Sequence, residues 1–285
     1  MKMTYRNILA AATLLIINSL ASAQTQPSAP PEKTAVVYGQ NIRYIEAGQG
    51  PAVILLHGLG SVKEIWAANI AALSTKHHVY ALDQIGFGHS DKPLLEYKIA
   101  TFADFLRGFM ESQNLIKATL VGNSLGGWIA IDFAARHPEM VDKLVLVDSA
   151  GLPWGKPPAA DLNPASLADM RTLLESLFYD KKMVTEQFVL QAFTNHMRNN
   201  DGYTIQRTLA GFAQNQFEDA TLSSIHAPTL VVWGREDELI AVSSGEKLRD
   251  GIPQARLAVF EKCGHVPQLE KPAEFNQALI EFLEK

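Results

Sequence analysis

Ala118-Thr119-Leu120-Val121-Gly122-Asn123-Ser124-Leu125-Gly126-Gly127-Trp128 is the stretch that decides the fold. The apolar run Ala118–Val121 predicts a strand, Gly122–Gly126 a sharp turn, and Trp128–Arg136 an amphipathic helix. The turn reads G-x-S-x-G. Its glycines remove side chains that would clash as the chain reverses, and its serine projects above the sheet edge. A serine hydroxyl is a weak nucleophile until it is exposed, beside a general base, and close to backbone N–H groups that can hold an oxyanion. Alone, the five residues also fit a glycine-rich turn whose serine merely caps a helix. The rest of the chain has to decide.

Outward from the turn, short β-rich runs alternate with helical ones. Ala35–Tyr38 and Ile42–Glu46 flank Gly39-Gln40-Asn41 as a hairpin. Strands are expected at 52–56, 78–82, 118–121, 144–147, 229–233 and 255–260, with helices at 65–73, 102–114, 128–136 and 274–284. Near-continuous apolar strands separated by helices imply an α/β fold, with a mostly parallel, doubly wound sheet covered on both faces. Residues 151–222 break the rhythm. After the loop Gly151–Pro158 they offer three amphipathic helices (164–179, 185–198 and 202–215) and no strand. They read as a helical cap inserted between two pieces of core, 34–150 and 223–285. Such an insertion can shape and dry a substrate cleft.

Four further features fall where a nucleophilic serine needs them. Asp237 follows the strand 229–233, on the sheet edge expected for Ser124. His265 follows the strand 255–260 within Cys263-Gly264-His265-Val266-Pro267. The chain order Ser, Asp, His is the one that accompanies this turn type. His57-Gly58-Leu59-Gly60 follows the strand 52–56, so Leu59 N–H can join Leu125 N–H in an oxyanion hole. The candidate catalytic residues are therefore Ser124, Asp237 and His265. Asp148, which also ends a strand, is the rival acid; its plainer reading is a turn-capping carboxylate. Trp128 and Trp154 are candidates for a pocket wall; core packing is the favoured reading for Trp128, and Trp154 is the better wall candidate. His57 and His89 read as structural, His196 as a surface or satisfied histidine, Glu236 and Glu238 as solvated, and Cys263 as a small buried apolar residue.

These pieces, with Asp83-Gln84-Ile85-Gly86-Phe87-Gly88-His89-Ser90-Asp91-Lys92-Pro93, give the chain a resemblance to the α/β-hydrolase fold family over about residues 35–285. Within that family it looks like the bacterial esterases and monoacylglycerol-lipase-like enzymes with a helical cap. Meta-cleavage-product hydrolases, which cut carbon–carbon bonds, share the triad order. Gln84 is a departure, since relatives often carry proline there; its expected effect is on loop stiffness. The resemblance implies a serine hydrolase of carboxylic esters working through an acyl-enzyme, on a small apolar ester. The alternatives are carbon–carbon hydrolysis, or a hydrolase fold used only for binding. Elbow aspartates serve epoxide and haloalkane chemistry, and position 124 is serine.

Composition bounds the partners. The first 23 residues read as an export signal, with Lys2 and Arg6 before the apolar Ile8–Leu20 and the small-residue site Ala21-Ser22-Ala23. Residues 24–33 read as a disordered lead-in, and the mature protein is expected in the periplasm or outside the cell. Losing Lys2 and Arg6 moves the net charge from −5 to −7. That balance disfavours nucleic acid and anionic membrane surfaces. No segment after the leader is long and apolar enough to span a bilayer. The single cysteine excludes an internal disulfide. No metal-ligand spacing and no G-x-G-x-x-G after a strand is present, so no cofactor is expected. Carbon–carbon hydrolysis ranks second because its substrates usually arise inside cells.

Overall fold

A computed structural model describes residues 30–153, 159–212 and 219–285. The leader at 1–23, most of the lead-in and Trp154 lie outside them. The strands are β1 (Glu32–Val37), β2 (Gln40–Ala47), β3 (Ala52–Leu56), β4 (His78–Leu82), β5 (Ala118–Asn123), β6 (Val141–Val147), β7 (Thr229–Gly234) and β8 (Arg256–Phe260). The first begins at Glu32, inside the expected lead-in. The helices are α1 (Ala67–Leu73), α2 (Ile99–Ser112), α3 (Leu125–Arg136), α4 (Leu167–Leu177), α5 (Glu186–Asn199), α6 (Gly202–Phe212), α7 (Asp219–Ser223), α8 (Val242–Gly251), α9 (Pro267–Glu270) and α10 (Pro272–Leu283).

The eight strands form one sheet in the order β1-β2-β4-β3-β5-β6-β7-β8. The pairs β1/β2 and β2/β4 are antiparallel and the remaining pairs are parallel. Alternation along β3 shows why both faces are covered. Ile54 and Leu56 enter one apolar cluster with α2 and α3, whereas Val53 and Leu55 enter another with Trp66, Ile70, Phe275 and Leu279. Both faces need apolar side chains, so the central strands read as unbroken hydrophobic runs.

Register sets the active edge. Leu56 pairs with Gly122 across β3/β5, and Asn123 with Val147 across β5/β6. The loops after β3, β5, β6, β7 and β8 therefore open at one edge of the sheet. Helices α4, α5 and α6 come from the inserted segment. Met170, Leu174, Phe178, Val184 and Val189 make their own small core, and Val266 joins it from the loop after β8. The sequence reading did not foresee α8, whose VSSGEKLRDG carries few apolar residues.

Lys63 is the unexpected core residue. Its side chain is 1% exposed, and its ammonium lies 2.8 Å from Asp83, 2.7 Å from Glu32 and 2.9 Å from Glu64. Asp83 also accepts the backbone N–H of Lys63 and that of His89, both at 2.8 Å. Glu32, Asp83 and His89 offer atoms within 4.8 Å of one another, a spacing that could suit a cation. Here the Lys63 ammonium already pairs with both carboxylates. Its pKa is held above the ordinary lysine value by Asp83, Glu32 and Glu64, against the opposing effect of burial. Asp83 is the buried partner of Lys63, and its removal also orphans the N–H groups of Lys63 and His89. Asp83→Ala is expected to destabilise the fold by about 3–5 kcal/mol, measured by urea unfolding.

Candidate active site

Ser124 sits between β5 and α3 with φ 55 and ψ −115, a left-handed backbone carried by a residue that has a Cβ. Such a conformation is strained and persists only when neighbours over-determine it. They do. Ser124 N–H donates to Val147 at 2.9 Å, and its carbonyl accepts N–H groups from Gly127, Trp128 and Ala150. A Cβ at Gly122 would meet the Gly126 carbonyl carbon at 2.3 Å, and one at Gly126 would meet the Leu56 carbonyl oxygen at 2.3 Å. The glycines are there because backbone passes backbone.

His265 and Asp237 meet. His265 Nδ1 lies 2.7 Å from Asp237 Oδ2. Asp237 Oδ1 accepts the N–H groups of Leu239 at 2.8 Å and Ile240 at 2.9 Å. The carboxylate is thus fixed in orientation, and its acceptor role assigns the imidazole proton to Nδ1. Nε2 is left as the basic nitrogen; it is buried and has no hydrogen-bond partner among the described residues. His265 borders the same cavity as Ser124.

The histidine loop is tied on several sides. Its N–H donates to Leu177 at 2.7 Å, and its carbonyl accepts Asn123 Nδ2 at 3.1 Å. Glu270 accepts the N–H groups of Gly264 at 2.9 Å, Tyr179 at 3.1 Å and Asp180 at 2.7 Å. It therefore links the end of α4 to the residue before His265. Glu236 accepts the Cys263 N–H at 3.0 Å, so it is engaged rather than simply solvated. Sequence reasoning missed Asn123, Glu236 and Glu270 as supports. Only Asn123 had a signal, its place inside the elbow.

Leu125 is the first residue of α3, so its N–H has no acceptor within the helix. Leu59 borders the cavity. A Cβ on neighbouring Gly58 would stand 3.3 Å from Ser124 Cβ, which sets the 58–59 peptide beside the elbow. The preceding His57 is wholly buried. Its Nδ1–H donates to the Gly58 carbonyl at 2.7 Å, and its Nε2 accepts the Gln84 N–H at 3.1 Å. The Gln84 side chain returns a bond to the His57 carbonyl at 2.8 Å. Burial pushes the His57 pKa down, as suits a neutral loop anchor.

The cavity holds about 260 Å³. Its walls are mostly apolar, with Leu59, Val62 and Ile65 on the core side and Met170, Leu173 and Phe188 from the inserted helices. One polar strip crosses it on α5, at Gln191, Asn195, His196 and Asn199. His196 is 8% exposed, and its Nδ1 lies 3.3 Å from the wholly buried Asp201. The expectation of a surface or satisfied histidine missed this cavity position. Trp128 is not a wall residue, and the core reading holds for it. It is 2% exposed, packs on Phe212 at a ring separation of 5.0 Å, and belongs to the core rather than the cavity wall. Small residues follow the elbow, so α3 sits tight on the sheet and carries the tryptophan inward.

Cys263 is buried, and burial raises its thiol pKa far above the ordinary range. It is no candidate nucleophile. Asp148, the rival acid, does not hold His265; its Oδ1 accepts the Gly234 N–H at 3.0 Å instead.

A family model described as alpha/beta hydrolase fold matches residues 51–272. A 2-hydroxy-6-oxo-6-phenylhexa-2,4-dienoate hydrolase of Comamonas testosteroni is 34% identical, over 85% of this chain and 91% of that protein. A 2-hydroxymuconate semialdehyde hydrolase of Pseudomonas sp. (strain CF600) is 32% identical, over 84% of this chain and 88% of its own. Among solved structures, a meta-cleavage product hydrolase from Pseudomonas fluorescens IP01 superposes with a TM-score of 0.80 at 31% identity, over 88% of this chain and 97% of that one. These relatives overturn the expectation of a carboxylic-ester hydrolase and favour the carbon–carbon alternative. The ester reading had leaned on a leader peptide and on general resemblance, and neither bears on the bond being cut.

Proposed function

Because this chain belongs to the α/β-hydrolase fold family, we propose that it hydrolyses a carbon–carbon bond in a 2-hydroxy-6-oxo-dienoate, a substrate of the meta-cleavage-product type. What carries the reading is the span of likeness. An alignment to a dienoate hydrolase at 34% identity covers 85% of this chain, and so spans the inserted helices that wall the cavity as well as the elbow. Substrate choice resides in those walls.

The chemistry explains why such a site suffices. Carbon is a poor leaving group unless its electron pair is delocalised. In the keto form of the substrate, the pair released from the C5–C6 bond flows onto the C2 carbonyl. Ser124 Oγ attacks the C6 ketone while His265 Nε2 takes its proton. Asp237 holds the imidazole in the needed tautomer and stabilises the imidazolium. The N–H groups of Leu125 and Leu59 receive the oxyanion, and one such donor is worth about 2.7–4 kcal/mol of barrier. Collapse breaks C5–C6, the electron pair runs through C4 and C3 onto the C2 oxygen, and the proton taken by His265 passes through solvent to that enolate oxygen. Water, activated by the same histidine, then releases the acyl group from Ser124. The products are a carboxylic acid and a 2-hydroxydienoate. The apolar walls suit the C6 substituent, and the α5 strip offers donors to the 2-hydroxy acid end.

A side-by-side assay tests this. Loss of dienolate absorbance with 2-hydroxy-6-oxo-6-phenylhexa-2,4-dienoate should proceed with kcat/KM at least ~10⁴ M⁻¹s⁻¹, the lower end of ordinary enzymes. Turnover of a p-nitrophenyl ester with the dienoate left intact would reject the assignment.

A further inference from the structure

Asp148 ends β6, one strand from the elbow, with a left-handed φ of 43. Its side chain is wholly buried. Oδ1 accepts the Gly234 N–H at 3.0 Å, but Oδ2 is buried with no donor among the described residues. A buried orphan oxygen of this kind is costly for an anion. One oxygen of Asp148, one of Asp237 and one ring nitrogen of His265 lie within 4.8 Å of one another. Two carboxylates that close in a dry site cannot both ionise. The charge settles where it is better solvated by the protein. Asp237 receives three donors, from Leu239, Ile240 and His265, whereas Asp148 receives one. A proton on Asp148 Oδ2 turns the orphan acceptor into a donor, and the carboxylate gathered beside it is that of Asp237.

We propose that Asp148 is a neutral carboxylic acid that donates a hydrogen bond to Asp237, a positioning residue standing behind the His265–Asp237 pair. The inference rests on the reading of that pair as acid and base, and is indifferent to which bond Ser124 attacks. Burial and the neighbouring Asp237 hold the Asp148 pKa well above the ordinary carboxylate range, in keeping with it. The titratable groups facing Asp148 are Asp237 from the loop after β7, Cys263 and His265 from the loop after β8, and Glu270 from α9.

A proton kept only in the folded state ties stability to pH. The unfolded chain releases it near pH 4 and the folded chain far higher, so the folded state binds the extra proton between these limits. Wild-type stability attributable to Asp148 is therefore full below about pH 4 and declines as pH rises towards the folded value. Asp148→Asn keeps an acceptor for Gly234 and a donor for Asp237 and has no proton to hold. Its Tm should gain on that of wild type by about 2–3 °C for each pH unit as pH rises above about 5 towards the folded value. The other facing groups are common to both proteins, so their titrations largely cancel in the difference. In kcat, Asp148→Asn should stay near wild type, while Asp148→Leu should lose about one to two orders of magnitude with little change in KM. Infrared difference spectra of wild type against Asp148→Asn supply a check that needs no turnover: the carbonyl stretch of a protonated, buried carboxylic acid should vanish. A Tm difference flat with pH, no such band, or a kcat for Asp148→Asn as low as that of the leucine variant would each overturn the proposal.

Discussion

Ser124→Ala is expected to reduce kcat by about 10⁶-fold while leaving the urea midpoint unchanged, because a nucleophile that works as one unit with its base loses nearly all of their joint effect when removed. The substitution deletes only Oγ. The left-handed backbone at Ser124 remains, and an alanine Cβ is no worse there than a serine Cβ. The bonds that hold the elbow, from Ser124 N–H to Val147 and from Gly127, Trp128 and Ala150 to the Ser124 carbonyl, are all backbone and persist. The cavity and its apolar walls are untouched, so the variant should still bind substrate. Residual turnover over the uncatalysed reaction would come from the oxyanion donors and from binding alone, about 10³–10⁴-fold. Wild type should form a phosphonate ester with a fluorophosphonate probe on Ser124, with loss of fluoride, visible by mass spectrometry, and the variant should form none. A variant that retains turnover within tenfold of wild type would mean that water, not Ser124, is the attacking group.

The core was legible because its physics is local. A strand covered on both faces must be apolar throughout, so β3, β5, β6 and β7 announce themselves, and the Ser, Asp, His order places three loops on one edge. What escaped the sequence depends on distant partners. Lys63 looks like any loop lysine until Glu32 and Asp83, remote in the chain, close around it. Glu270 looks like a helix-end carboxylate, yet it gathers N–H groups from Gly264, Tyr179 and Asp180. His196 sits on a polar helix and reads as a surface or satisfied histidine; it is paired with Asp201, but only the fold of the inserted segment brings it to the cavity. The bond cleaved escaped for a different reason. An ester carbonyl and a ketone present the same electrophile to Ser124 and the same oxyanion to Leu125 and Leu59. The difference lies in where the leaving electrons go, and the substrate carries that property, not the triad.

Asp237→Asn carries the second large effect, and the geometry gives its sign and rough size. Asparagine is nearly isosteric with aspartate. Its carbonyl oxygen can keep the bonds from Leu239 N–H and Ile240 N–H now made to Oδ1. That choice points the NH₂ group at His265 Nδ1, which sits 2.7 Å from Oδ2 in the wild type. An NH₂ facing Nδ1 needs an acceptor there, so the imidazole proton moves to Nε2. The nitrogen that should receive the Ser124 proton is then already occupied. Turnover should fall about 10⁴-fold, the scale of a wrong-tautomer defect in a triad of this kind. KM should change little, since Asp237 borders no part of the cavity described here. The alternative rotamer would restore Nδ1–H donation only by turning NH₂ towards two backbone N–H groups, which leaves three donors crowded without an acceptor. Raising the pH should recover part of the rate if hydroxide can do for Ser124 what the misplaced imidazole cannot. A drop in kcat of less than tenfold across the pH range would mean that the Asp237–His265 contact orients the loop without setting the tautomer.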